Sequence, residues 1–491
     1  MKNKNRLAGI LFVIATMTIF SCKDYLDLSP ISSYNTGSFY QTQEDFESAV
    51  NGIYDILQSL VNTTALTLEG RSDNVQDDII NGYDNNRVHR FIDDASTSYL
   101  TTIWSSYWKM IDRSNAIIDQ IDAVKFDDEE YKSYYKGEAY FFRGYAYFQL
   151  AWMYGGVPLI DHQMKVDEIK TTARSSQAET FAFASSDLTQ AAQLLPEVWA
   201  SKELGKATKY AAQGILARMY LFQKNYTGAK PLLLSIINSG KYQLASNYAN
   251  CFLDTYDNSP EHVLQVQFKS GNLGEGNSFV AYEVPEFIRS SLFPTGGTSG
   301  ANMVSYDLYD SYENGDLRRD FSIQKGYTNS SGIKDEVTLY YIKYAHGTIP
   351  TTKTDYEVNM PILRYTDVLL MYAEVLNEGS YASTGEAFNI INEIRNRAGL
   401  SPLTSSQASS QEAFRDAVLR ERRVEFACEY LRWFDLLRTG KAMSVMNTFL
   451  SRPEEGSGKY KMEEYRSIFA IPQYELNVNP NTEYMWQNPG Y

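Results

Sequence analysis

Ile362 to Leu400 constrains the fold of this chain more than any other stretch. Tyr365, Leu369, Tyr372 and Leu376 recur at helical spacing and share one face. Ala387, Ile390, Ile391, Ile394 and Ala398 do the same further on. Between the two stripes lies the turn-rich run Gly379 to Gly385, with Thr384 as N-cap and Gly399 as the stop after the second helix. An antiparallel pair of this kind cannot bury both stripes by itself and needs neighbours of the same kind. Ala207 to Gly240 supplies one. Its first helix carries the row Tyr210, Gly214, Ala217 and Leu221, small enough for close approach, and Ala229, Leu232, Leu233, Ile236 and Ile237 stripe the second. Tyr131 to Tyr154 supplies another through Ala139, Phe142, Ala146, Leu150 and Met153, with a late partner at Phe181, Ala184, Leu188, Ala191 and Leu195. The spacing therefore predicts a mainly α scaffold of about four tetratricopeptide-like helix pairs.

The N-terminus reads as an export signal. Lys2, Lys4 and Arg6 precede an apolar run from Leu7 to Phe20 that is short for a membrane span. Ser21-Cys22 closes the run as a lipoprotein cleavage site would, which makes 1–21 a signal peptide and Cys22 the lipid attachment residue. An acylated Cys22 would hold the protein on a membrane. The net charge of −15 disfavours nucleic acid as a partner, and it grows more negative once the three leader cations are gone. Most of the 38 tyrosines are expected at helix crossings, where the ring is buried and the hydroxyl reaches the surface. Cys251 and Cys428 lack the spacing of a disulfide framework, and Cys428 reads as a buried free thiol in a helix.

In chain order, 22–250 forms an N-terminal helical part, 251–361 an irregular insertion and 362–491 a helical part that completes the scaffold. Glu44 to Val61 is the first helix, striped by Phe46, Val50, Ile53, Tyr54 and Leu57, and Ser96 to Val124 is another. The polar stretch Leu66 to Asp94 reads as a long irregular loop. Asp73, Asn74, Tyr83 and Asn85 are its candidate ligand contacts, because ring, amide and acid together suit a sugar. The ring covers the apolar sugar face and the polar groups take the hydroxyls. Trp104 and Trp108, one turn apart, read as core. In the insertion, Val263 to Phe268 and Val337 to Tyr341 are strand-like, and glycines punctuate loops. Tyr282, Phe287 and Phe293 are its aromatic candidates, since irregular loops on a rigid scaffold are where binding sites gather. The charged helix around Arg420 to Arg438 is read as an ion-pair network, with Arg422–Glu425 and Glu429–Arg432 as pairs at i,i+3.

Five stretches together identify the chain as similar to the SusD/RagB family of Bacteroidetes outer-membrane lipoproteins. They are Cys22 to Asp27, Ser305 to Asp320 with its Gly-Asp-x-Arg turn, Leu363 to Glu374, Arg420 to Phe426 continuing through Leu431 to Arg438, and Ile468 to Pro472 with the terminal Gln487 to Tyr491. The resemblance covers the mature chain in order. It implies four tetratricopeptide-like helix pairs, an irregular part bearing the ligand site, and a lid over a SusC-like TonB-dependent transporter. It also implies a surface-exposed, outer-membrane lipoprotein that binds an oligosaccharide, or in some members a peptide.

Catalytic signatures are missing. His89, His162, His262 and His346 form no H-E-x-x-H, there is no G-x-S-x-G, and Gly456 to Lys459 lacks the flanking residues of a P-loop. A two-carboxylate glycosidase leaves no spacing signature, so that class stays open as the alternative. No catalytic residue and no cofactor is expected. Asp77, Asp78, Asp254 and Asp257 do not fit an EF-hand, so a structural calcium has no support.

Overall fold

The computed structural model describes residues 39–76, 84–200, 203–285, 303–329, 331–456 and 458–491. The leader, Cys22, Tyr83, Phe287 and Phe293 lie outside them. Four antiparallel helix pairs follow one another along the chain. They are α1 (Gln43–Gly70) with α2 (Ser98–Gln120), α3 (Glu129–Tyr154) with α4 (Gln177–Leu194), α5 (Lys209–Phe222) with α6 (Tyr226–Asn238), and α7 (Tyr365–Gly379) with α8 (Glu386–Arg397). Each pair also packs on the next: α2 on α3, α4 on α5, and α6 on α7. The apolar stripes thus meet in one continuous core. Trp104 is part of it, 1% exposed and edge-on to Tyr154.

Side-chain caps start several of the helices, but α8 does not use the expected Thr384: its N-cap is Gly385, which carries no side-chain cap. Thr42 and Asp45 form a reciprocal box at α1, and Ser176 and Glu179 another at α4. Thr208 caps α5 and Asn225 caps α6, each satisfying an otherwise orphan N–H. The small-residue row of α5 serves a purpose beyond helix crossing. A Cβ on Gly214 would sit 2.2 Å from Leu363 Cδ2, so this glycine lets a strand reach the helix.

That strand belongs to a small sheet. β1 (His262–Val266) pairs antiparallel with β4 (Met360–Arg364), His262 opposite Arg364 and Val266 opposite Met360. Both strands are buried throughout, and together they tie the start and end of the irregular region against α5. A second, separate hairpin joins β2 (Ile323–Thr328) to β3 (Lys334–Tyr341), with a register shift at Gly326. α9 (Gln411–Glu425) and α10 (Arg432–Arg438) then pack back onto the scaffold.

Two expectations need correction. Cys428 is a buried free thiol, but it lies after α9 in a left-handed conformation, φ +65°, followed by Tyr430 at φ +50°. Neither expected i,i+3 pair forms: Arg422 and Glu425 share the helix but turn to other partners, and Glu429 lies beyond its end. Arg422 instead bridges Asp367 at 2.5 Å and Asp435 at 2.8 Å, and Glu425 takes Arg397 at 2.6 Å and Arg364 at 3.0 Å. Glu429 meets Lys343 at 2.6 Å, while Arg432 goes to Asp73 at 2.8 Å. The network is real and its partners are distant in sequence.

One buried carboxyl on α3 makes stability pH-dependent. Glu138 is fully buried and accepts a 2.7 Å hydrogen bond from the Tyr54 hydroxyl. Burial pushes its pKa up to about 7, against the pull of Lys206 and with help from Glu203 and Glu47. A carboxyl raised in the folded state contributes stability at low pH that is lost as pH rises from about 4.5 to about 7. Glu138→Gln keeps an acceptor for Tyr54 and removes the charge. It is expected to gain about 3 kcal/mol over wild type at pH 8 and nothing at pH 4, read by urea melts at both.

Candidate ligand-binding face

α1 determines where this face begins. Leu66 and Leu68 continue its apolar stripe, so the helix runs to Gly70 rather than fraying into the expected loop. Asp84–His89 is helical as well. Between them the chain dives inward. Arg71 is fully buried, 4.0 Å from the centre of the Phe91 ring, paired with Asp93 and donating to the Arg466 carbonyl at 2.9 Å.

Asp73 and Asn74, expected to face a ligand, lie in the interior. Asp73 is 2% exposed and receives both Arg432 Nε and Nη2 at 2.8 Å, with Arg423 at 3.1 Å. Burial alone would raise its pKa, but Arg423 and Arg432 outweigh it and hold the carboxyl well below the usual range. Asn74 donates to Glu69 at 3.0 Å and accepts from Arg423 Nε at 3.0 Å. These groups have no hydrogen-bonding capacity directed to solvent; they form the floor. Glu69 completes it, accepting from Tyr341 at 2.8 Å and from the Cys428 and Tyr430 N–H groups at 3.1 and 3.0 Å.

On this floor two distant segments are joined. Val75 and Val304 form an antiparallel bridge, with Gln76 N–H donating to Met303 O at 2.9 Å and Ser305 N–H to Asn74 O at 2.9 Å. Val304 N–H donates in turn to Leu339 O on β3 at 3.2 Å. The bridge is thus a fastened point between two distant parts of the chain; Tyr83, Phe287 and Phe293 lie outside the described residues. Asn85 falls on the helix Asp84–His89.

Tyr282 sits on the short helix Phe279–Glu283 and is 36% exposed. Phe279 anchors that helix edge-on against Tyr344, and Glu283 lies close enough to Tyr341 and Cys428 to act on both electrostatically. Tyr282 is thus the aromatic candidate from the sequence that the structure places at an accessible position.

Two further rings were not read from the sequence as contacts. Ser305 caps the helix Tyr306–Ser311, which begins directly after the bridge. Tyr306 and Tyr309 on it are half-buried. The Tyr309 ring has Arg319 at 5.1 Å and Lys325 at 5.3 Å from its centre, so an aromatic surface stands beside two hydrogen-bond donors. Asp307 locks the helix in place through Arg423 at 2.8 Å and through Arg452. The i,i+3 spacing of the two tyrosines behind a Ser cap was the signal available.

Chemically the face offers rings and donors over a floor whose carboxylates are engaged, Asp73 by arginines and Glu69 by neutral hydrogen-bond donors. Among the described residues no group of three or more His, Cys, Asp or Glu is gathered to hold a metal, and no helix is long and apolar enough to cross a membrane.

Comparison with known proteins agrees with this architecture. A sequence model described as SusD family matches residues 292–491, and one described as starch-binding and associating with the outer membrane matches residues 24–221. SusD-like protein P38 of Formosa agariphila is 28% identical over 488 residues, covering 91% of this chain and 93% of its own. The structure of surface glycan-binding protein A from Bacteroides fluxus superposes with a TM-score of 0.79 at 26% identity, over 92% of this chain and 100% of that one. Surface glycan-binding protein A from Bacteroides thetaiotaomicron, solved with laminarihexaose, shares the fold at TM-score 0.76 and 20% identity, over 91% and 100% of the two chains.

Proposed function

The chain belongs to the SusD superfamily, and from that premise we propose that it captures an oligosaccharide at the cell surface without cleaving it and delivers it to a SusC-like TonB-dependent transporter. The observation that carries the reading is the fastened root at Val75–Val304. There, segments far apart in sequence meet over hydrogen-bonded and ion-paired side chains, directly before the helix that presents Tyr309. A glycan needs such a preorganised surface, because a flexible one would lose affinity to the ordering of its own side chains. A relative at 26% identity that is named a surface glycan-binding protein supports the same ligand class, and the outer-membrane description of one matching model supports the location.

In this reading Cys22 carries the lipid anchor after removal of 1–21. The tether is proposed to be the stretch Lys23 to Tyr34, which precedes α1 in the chain, whereas the fastened root lies just past the end of that helix. A helix of 28 residues is about 42 Å long, so the gripping face stands well away from the point where the tether joins. Binding rests on stacking and hydrogen bonds and uses no cofactor and no catalytic residue. The Phe287 and Phe293 rings are proposed to complete the face with Tyr282.

The test is a calorimetric titration of the protein with soluble starch, β-glucan and mannan oligosaccharides. One of them is expected to bind saturably, and both Tyr282→Ala and Tyr309→Ala are expected to weaken it about tenfold, since stacking of one ring contributes about 1–2 kcal/mol. Binding that both variants leave unchanged would remove these rings from the site.

A further inference from the structure

One buried carboxylate joins the scaffold to the ligand face. Glu69 stands one residue before the end of α1 and is fully buried. No lysine, arginine or histidine among the described residues pairs with it. Four hydrogen-bond donors surround it instead. Oε1 accepts from Asn74 Nδ2 at 3.0 Å, from the Tyr341 hydroxyl at 2.8 Å and from the Cys428 N–H at 3.1 Å, and Oε2 accepts from the Tyr430 N–H at 3.0 Å. Burial pushes its pKa up, and those four donors pull against that. An ionised carboxylate can accept from all four at once, whereas a neutral amide would turn its own N–H toward one of them.

Two of the donors sit in strained backbone. Cys428 and Tyr430 are left-handed, a conformation that side chains other than glycine disfavour, and they lie in the link between α9 and α10. Both turn their N–H groups to the one carboxylate, as a backbone nest does to an anion. The other two donors lead to the ligand face. Asn74 accepts from the Ser305 N–H through its main-chain carbonyl at 2.9 Å, and the Ser305 hydroxyl caps the helix that carries Tyr309. Tyr341 ends β3, whose Leu339 carbonyl accepts from the Val304 N–H at 3.2 Å. Both routes from Glu69 thus end at Val304 and Ser305, directly before the Tyr309 helix.

We propose that Glu69 is a positioning residue for ligand capture: its carboxylate locks the end of α1, β3 and the α9–α10 link to one another, and so sets where the Tyr309 helix stands. Glu69 itself touches no ligand. Without its charge the left-handed link loses the acceptor that holds it, and the bridge between Val75 and Val304 opens more often. The effect on affinity rests on the glycan reading above; the effect on the bridge does not.

The test is amide hydrogen exchange on the ligand-free protein, followed by glycan titration. In Glu69→Gln the amides of Gln76, Val304 and Ser305 are expected to exchange at least about tenfold faster than in wild type, while those of α4 and α6 keep their rates. Glycan affinity is expected to fall about tenfold. Combining Glu69→Gln with Tyr309→Ala is expected to bind no more weakly than Tyr309→Ala alone, since a residue that acts through a ring has no effect once the ring is gone. Unchanged exchange at the three bridge amides, equal acceleration along the whole chain, or losses that multiply in the double variant would overturn the proposal. Should Glu69→Gln fail to fold, Tyr341→Phe removes one donor and leaves Glu69 in place. The same three amides are then expected to exchange about threefold faster, and unchanged rates would overturn the proposal. A wild type that binds no glycan removes the glycan reading alone, because the exchange is measured without ligand.

Discussion

Glu425→Gln is expected to lower the stability of the fold by about 4 kcal/mol, measured by urea denaturation at pH 7. Glu425 is fully buried and lies at the centre of the charge network. It meets Arg397 at 2.6 Å, Arg364 at 3.0 Å and Arg318 at 3.1 Å, on three separate parts of the chain. Arg364 ends β4 just before α7, Arg397 ends α8, and Arg318 lies in the short helix Leu317–Ser322. Burial alone would raise the Glu425 pKa, but Arg397, Arg364, Arg318 and Lys343 reverse that and hold it far below the usual carboxylate range. Glutamine keeps the shape and removes the charge, so the buried guanidiniums lose their shared counterion while their desolvation is unchanged. A surface pair supplies the contrast. Lys441 and Asp416 are equally close at 2.6 Å but more than a third exposed, and Asp416→Asn is expected to cost less than about 1 kcal/mol.

Asp73→Asn is the second large effect, and it separates fold from function. The carboxylate holds Arg432 through two 2.8 Å bonds and Arg423 at 3.1 Å under the fastened root of the ligand face. Losing its charge is expected to destabilise the protein by about 3 kcal/mol at pH 7. The sign of the pH dependence follows from the depressed folded-state pKa. Its contribution is present above the unfolded carboxylate value near 3.9 and is lost as pH falls below it. The gap between wild type and Asp73→Asn should therefore be full at pH 7 and narrow below about pH 4. Glycan affinity of the folded variant is expected to change less than about twofold, since Asp73 is only 2% exposed and its carboxylate is held by Arg432 and Arg423. A tenfold loss of affinity with unchanged stability would return Asp73 to the binding site.

The helix pairs were legible because burial imposes a period. Phe46, Val50, Ile53 and Leu57 of α1 and Ile390, Ile391 and Ile394 of α8 are all core residues, at the spacing that one buried face requires. The strands at His262–Val266 and Lys334–Tyr341 show no such period; they overlap Val263 to Phe268 and Val337 to Tyr341, runs rich in the branched and aromatic residues that strands favour. The charge network was recognisable by composition, yet its pairing was not. Asp73 and Arg432 are hundreds of positions apart, and nothing local distinguishes a carboxylate with a distant partner from a solvated one. Sequence alone therefore reads Asp73 and Asn74 as ligand contacts, and the polar residues after Gly70 hide that Leu66 to Gly70 continues α1. Tyr309 was missed from the opposite side. Its stretch was conspicuous as a family motif, but its half-buried ring beside Arg319 and Lys325 depends on how β2 folds back toward the helix.

The central claim is that a stiff helical cradle presents a face that holds a glycan and leaves it intact. The direct measurement is to saturate the purified protein with an oligosaccharide from the binding panel, incubate overnight, and analyse the same sample for bound fraction and chain length. The account predicts saturable binding with the oligosaccharide recovered at its original length and no new reducing ends. Shortened products that scale with protein concentration, or no binding to any glycan of the panel, would contradict it.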